Sequence, residues 1–174
     1  MHRPKHAPAL LAALAAALLL AACAQTSVKH LNRNAWATDT DLSLTMQFWR
    51  FDYRIKAQGN QFAVRGTARP ETAALPPTAR WIEDLWLAAY LCDASGAVLA
   101  QDLRVADPGP LAPGVGLPFA FTLHPDALPP AGELYITFGY RMKLVPEGPE
   151  EDKPARQFSP AEVFFASEGA ITRF

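Results

Sequence analysis

From Asp41 onward, apolar and polar residues alternate with a period of two. Leu42, Leu44, Met46 and Phe48 share one parity, with Ser43, Thr45 and Gln47 between them. The parity then slips: Trp49, Phe51, Tyr53 and Ile55 are apolar, while Arg50, Asp52, Arg54 and Lys56 are polar. Successive side chains on a strand point to opposite faces, so one residue of slip reverses them all. The slip predicts a β-bulge or a strand break near Phe48–Trp49, which keeps both apolar sets inward. Ala57-Gln58-Gly59-Asn60-Gln61 reads as a turn. Phe62, Val64, Gly66 and Ala68 then alternate with Arg65, Thr67 and Arg69 as the return strand of a hairpin.

Further along, Leu85–Cys92 is apolar on both faces, the pattern of a central strand with Trp86 in the core, as Trp49 is by its inward parity. A buried helix of similar length fits the run too, but the turn Asp93-Ala94-Ser95-Gly96 favours the strand. Its partner is expected at about 97–105, with Ala97, Leu99, Leu103 and Val105 on one side. Leu117, Phe119, Phe121 and Leu123 alternate next, and Leu134, Ile136, Phe138, Tyr140, Met142 and Leu144 form the clearest strand. A last short element is expected over 161–166. Proline cannot donate to a sheet ladder, and the prolines cluster between these segments. The cluster in 70–79 predicts a crossing from one sheet to another. No stretch has the period, length and caps of a long helix. The expected fold is all-β: a two-sheet antiparallel sandwich, immunoglobulin-like, of about seven strands.

The start of the chain changes the picture. Met1-His2-Arg3-Pro4-Lys5-His6 is basic, and Ala9–Ala22 is a run of Ala and Leu only, 14 residues long. As a helix it would reach about 21 Å, short of the roughly 30 Å hydrocarbon core, so it suits a signal peptide better than a span. Of 174 residues, 16 are basic and 17 acidic. Without Arg3 and Lys5 the balance is 14 against 17, a net charge of −3. That balance gives no electrostatic footing for nucleic-acid binding. A hydrophobic content of 50% excludes a disordered chain.

Leu20-Ala21-Ala22-Cys23 resembles the lipobox of bacterial lipoproteins. The resemblance implies removal of residues 1–22, acylation of Cys23 and attachment to a membrane by its N-terminal acyl chains. Two or three chains make such attachment stable where one is marginal. Ala24, rather than Asp, follows the cysteine. By the sorting rule of enteric lipoproteins this implies the outer membrane, with the body facing the periplasm. Residues 23–40 then read as the acylated cysteine and a tether, polar and without clear period over 24–35, and 41–174 as the domain. The only other cysteine, Cys92, lies in an apolar run and is expected as a buried, inert thiol. Residues 85–123 are also similar to small immunoglobulin-like modules of the FxLYD type. The likeness lies in Tyr90-Leu91-Cys92-Asp93, the Asp93–Gly96 hairpin, Leu111-Ala112-Pro113-Gly114 and Leu117-Pro118-Phe119, with Cys92 interposed before the aspartate. It implies a sandwich and no catalytic site.

Catalytic constellations are not apparent. His30 and His124, the two histidines beyond the leader, have no partner at i+3 or i+4 for a metal, and no G-x-S-x-G elbow or phosphate loop occurs. Glu83 and Asp84 are adjacent, so a strand would aim them to opposite faces rather than pair them. Glu147, Glu150, Glu151 and Asp152 lie among Gly148 and prolines without the EF-hand order, and read as a solvated loop. No catalytic residue, metal or cofactor is expected. The aromatics offer a binding surface instead: Trp81 beside Arg80, with Trp36. These features imply a non-catalytic envelope lipoprotein that binds or supports an envelope protein partner. The alternative is an anchored carrier of an apolar or glycan ligand in a cleft between the sheets.

Overall fold

The computed structural model describes residues 25–112, 114–128, 133–149 and 157–173. Residues 1–24, Cys23 among them, Pro113, the acidic residues Glu150–Asp152 and Phe174 lie outside the described residues. The strands are β1 (Gln25–Ser27), β2 (Asn34–Ala35), β3 (Asp41–Thr45), β4 (Trp49–Gln58), β5 (Gln61–Pro70) and β6 (Trp81–Asp93). They continue as β7 (Val98–Ala106), β8 (Gly109–Pro110), β9 (Leu117–Leu123), β10 (Leu134–Val145), β11 (Phe164–Glu168) and β12 (Ile171–Arg173). Every pairing is antiparallel. A four-stranded sheet runs β3-β4-β5-β9, and a six-stranded sheet runs β11-β10-β6-β7 with β2 beside β10 and β8 beside β6. β1 and β12 form a third sheet of two strands.

The all-β expectation holds, but the strand count does not: among the described residues, twelve strands in three sheets replace about seven in two. The strands expected over 41–123 and 134–144 are present. The additions β1, β2, β8 and β12 have two or three residues each, too few to show any period. The parity slip at Phe48–Trp49 is a strand break, and the chain reverses there. β3 and β4 pair as a hairpin with Leu44 opposite Phe51, and the Met46 N–H donates to the Trp49 carbonyl (2.8 Å). Leu44, Met46, Phe48, Trp49, Phe51, Tyr53 and Ile55 are all buried, so both apolar sets reach one core. At the next turn Gln58 pairs with Gln61 around Gly59 at φ 61°, a two-residue connection of the kind that matches strand twist. Residues 71–80 carry the chain from one sheet to the other, and β6 lies between β10 and β7, as its two-sided apolar run predicts.

The two larger sheets meet through aromatic rings. Phe51 of β4 stacks on Phe138 of β10 with centroids 4.4 Å apart and planes 6° off parallel. Tyr53 and Phe119 close on Phe138 at 4.9 and 5.7 Å. Burying each such side chain stabilises by roughly 1.5–3 kcal/mol.

Side chains close the two open flanks of this stack. Asp102 and Arg104, on the core-facing parity of β7, turn toward β9. The Asp102 carboxylate accepts from the Thr122 N–H (2.7 Å), and Arg104 Nε donates to the Ala120 carbonyl (3.1 Å). Inward charges of this kind pair backbone groups at a sheet margin that would otherwise recruit another strand. On the opposite flank Asn32 Nδ2 donates to the Thr45 carbonyl (3.1 Å) and Asn34 Nδ2 to the Ser43 carbonyl (2.9 Å), both on β3. β2 simultaneously pairs with β10, so residues 32–35 bridge the sheets.

That bridge corrects the tether expected over 24–35. β1 pairs with β12, Val28 is wholly buried, Leu31 is buried, and the Thr137 hydroxyl donates to the Asn32 carbonyl (2.6 Å). The segment lacks a period because its polar side chains, rather than a repeating apolar face, hold it in place. The described body therefore includes Gln25–Thr40 as well as the domain expected from residue 41.

A second correction concerns β7. Leu91 pairs with Ala100 and Cys92 with Val98, leaving Leu99 without an opposite residue. This bulge breaks the expected common side of Ala97, Leu99, Leu103 and Val105: Ala97 is buried, whereas Leu103 and Val105 point outward. Trp86, expected in the core, lies opposite Val105 on that outer face.

Gly96 couples the Asp93 turn to the N-terminal segment. It has φ 85°, its carbonyl accepts from the Val28 N–H (2.8 Å), and a Cβ there would sit 2.7 Å from the Lys29 backbone. Gly96→Ala is expected to lower stability by at least about 1–2 kcal/mol from the left-handed backbone alone. Urea denaturation measures this, and unchanged stability would contradict the packing of Lys29 on Gly96.

Candidate functional site

Strand pairing builds an open groove on the outer face of the six-stranded sheet. The floor comes from the outward parity of neighbouring strands: Trp86 opposite Arg141 and Val105, and Ala88 opposite Gly139 and Leu103. The wall is the chain after β11. A Cβ on Gly139 would lie 2.8 Å from the Glu168 carbonyl and 3.2 Å from the Gly169 Cα, so only a bare backbone at 139 lets this segment cross the sheet. Beyond the crossing, Ile171 pairs with Ser27 of β1, and Ser27 also bridges to Ala97. The groove encloses about 420 Å³, with His30 and Leu31 at one side and Ser167–Ile171 at another. Trp86 is 37% exposed, and the Arg141 guanidinium carbon stands 5.3 Å from its ring centroid. Cation–π contact of this geometry holds a charged group over an apolar surface.

Tyr140 reaches the groove margin from the core side. Burial raises its hydroxyl pKa well above the usual tyrosine value, and the neighbouring Glu168 carboxylate raises it further. Glu168 is itself held by the Gln47 N–H (2.9 Å). This pair locks the end of β11 onto the β3–β4 turn, and it provides a neutral phenol rather than a base. Cys92 is a buried free thiol; burial raises its pKa, against the opposing effect of Arg33. That environment gives no reactive thiolate. Among the described residues, no three His, Cys, Asp or Glu side chains gather as metal ligands, and no helix is long and apolar enough to cross a membrane. His124 is exposed.

The residues expected to form a binding surface are not brought together. Trp36 is half-buried against Phe62, with ring centroids 5.0 Å apart, and its backbone N–H donates to the Leu134 carbonyl at the start of β10. Trp81 pairs with Val145 at the other end of that strand. At about 3.3 Å per residue the two ends of β10 are roughly 36 Å apart. Trp81 is half-buried under Gly148, where a Cβ would meet the indole at 2.5 Å, and it lines a shallow pocket of about 230 Å³ with Glu83, Pro108 and Phe158. Arg80 is exposed beside it, its backbone bonded to Val145 and Leu111.

The outer face of the four-stranded sheet has the opposite character. Arg50, Arg54 and Lys56 on β4 and Arg65 and Arg69 on β5 share it with Asp41 and Asp52, five cations against two carboxylates. Arg54 lies directly across from Arg65, and Arg50 from Arg69. Like charges so placed repel. Asp52 relieves one pair through ion pairs with Arg50 (3.0 Å) and Arg69, and Asp41 holds Arg54 (2.6 Å).

Sequence reasoning missed the groove because its signal was a bulge. Without the skipped residue Leu99, the alternation in β7 places Leu103 and Val105 inside, while Trp86 is hidden in a run, Leu85–Cys92, that is apolar on both parities. The doublet Phe164-Phe165 was a usable signal, since adjacent strand residues cannot both face the core.

The chain matches no protein-family model and no curated protein. The functional reading therefore rests on the residues of this chain alone.

Burial raises the Asp52 pKa, but hydrogen bonds from Ser43 and Arg50 and the charges of Arg50 and Arg69 outweigh it, and the net shift is downward from 3.8. A depressed folded pKa gives stability that is complete above the unfolded value and is lost as pH falls through the folded value. Asp52→Ala should cost about 0.5–1 kcal/mol at neutral pH, as partly screened pairs do. The difference from wild type should vanish in denaturation curves taken well below pH 3.8. A constant difference at every pH would show that Asp52 acts through packing.

Proposed function

We propose that the protein is a membrane-anchored lipoprotein of the bacterial envelope, a non-catalytic binding or structural module acylated at Cys23, and that its body is an immunoglobulin-like sandwich. The observation that carries this reading is the lipobox-like Leu20-Ala21-Ala22-Cys23 closing an Ala/Leu run behind a basic start. The face-to-face packing of two antiparallel sheets supports the finer fold. The ligand-carrier alternative has less support, since Phe51, Phe119, Phe121 and Phe138 occupy the space between the sheets where such a cleft would lie. The arginine face of the four-stranded sheet is the surface best suited to an acidic envelope protein, because five cations there have only two carboxylates among them.

Feeding cells radiolabelled palmitate tests the anchor. The wild-type protein should carry label and sediment with outer membranes, and Cys23→Ser should lose both properties. Equal labelling of the two proteins would contradict the reading.

A further inference from the structure

We infer that the outer face of the six-stranded sheet lies against the lipid surface, so that the protein is seated on its membrane on one defined side. The inference rests on the acylation of Cys23 proposed above. Seven large hydrophobic side chains are exposed among the described residues, and five of them, Trp86, Leu103, Val105, Phe165 and Ile171, belong to this face or its groove. An apolar patch gathered on one side of a monomer marks a contact surface.

Its composition selects the occupant. Arg141 stands over Trp86, and Lys143 Nζ, ion-paired with Glu83 (2.5 Å), lies 5.9 Å from the Phe165 centroid. Aromatic rings interleaved with long cationic side chains suit the boundary between acyl chains and headgroups. There the rings sit at headgroup level, and a guanidinium such as that of Arg141 reaches anionic phosphates.

Chain length points the same way. Cys23 precedes Ser27 by four residues, which at full extension is no more than about 14 Å. Ser27 pairs with Ile171, a residue of the groove wall. An acylated cysteine therefore holds Ser27, and the Ile171 side of the groove wall paired with it, within about 14 Å of the bilayer surface. The arginine face, on the far side of the core, is then directed away from the membrane toward partners.

The test uses the full-length acylated protein in a Cys92→Ala background, reconstituted into vesicles of phosphatidylethanolamine and phosphatidylglycerol. Val105→Cys and Phe165→Cys report the proposed contact face; Lys56→Cys and Arg65→Cys report the opposite one. Each is labelled with a polarity-sensitive fluorophore and challenged with nitroxide lipids. Quenching at positions 105 and 165 should exceed that at 56 and 65 by at least about twofold, with blue-shifted emission, as interfacial burial requires. Equal quenching on both faces of protein whose mass confirms acylation would overturn the inference while leaving the anchor intact. Probes at 105 and 165 that are shielded yet unquenched, in protein that crosslinks as a dimer, would assign the face to a second copy and overturn it too. A mass without acyl chains would instead refute the underlying reading, and this inference with it.

Discussion

The stack of Phe51 on Phe138 is the contact on which the rest of the fold depends. It joins the centre of the four-stranded sheet to the centre of the six-stranded one, and Tyr53, Phe119 and Phe121 surround it. Fixing Phe138 inward fixes the parity of all of β10. Ile136, Tyr140, Met142 and Leu144 follow it into the core, while Gly139, Arg141 and Lys143 are committed to the opposite face. The groove is a consequence of that commitment. Its floor is the outward parity of β10 and β6, and its wall crosses at Gly139, where no side chain is in the way.

Two packed sheets also leave flanks open, and here the chain uses polar groups. Asp102 and Arg104 close one flank on β9; Asn32 and Asn34 close the other on β3. These contacts explain how a segment with little apolar content becomes part of the body. The two ends of the described chain are joined separately, by the pairing of β1 with β12. The resulting molecule is two-sided, with aromatic and aliphatic groups exposed on one sheet and an arginine ladder on the other.

How much of this was legible depended on the kind of signal each element carries. The long strands were readable because burial on one face imposes a period of two, and the slip at Phe48–Trp49 marked a reversal for the same reason. The central position of β6 followed from Leu85–Cys92 being apolar on both parities, although Trp86 shows that one of those parities is only partly covered. Leu103 and Val105 were read inward because a single unpaired residue, Leu99, leaves no mark in composition. Residues 24–35 read as a tether because amide side chains bonding to backbone carbonyls have no hydrophobic period. Trp36 and Trp81 were grouped by residue type, and strand register separates them by the length of β10. Cys23 remains a reading from sequence, since it lies outside the described residues.

The folded body begins by Gln25, and the polar segment that follows is part of it rather than a flexible linker. Hydrogen exchange of the intact protein tests this most directly at Val28, Leu31 and Trp36, whose N–H groups bond to Gly96, Val28 and Leu134. Exchange there should be slowed by orders of magnitude, approaching the protection of β6 and β10 amides, as expected for groups that open only with the body. Exchange at unstructured rates at these three positions, while β6 and β10 stay protected, would show a loose leash in place of a clamp.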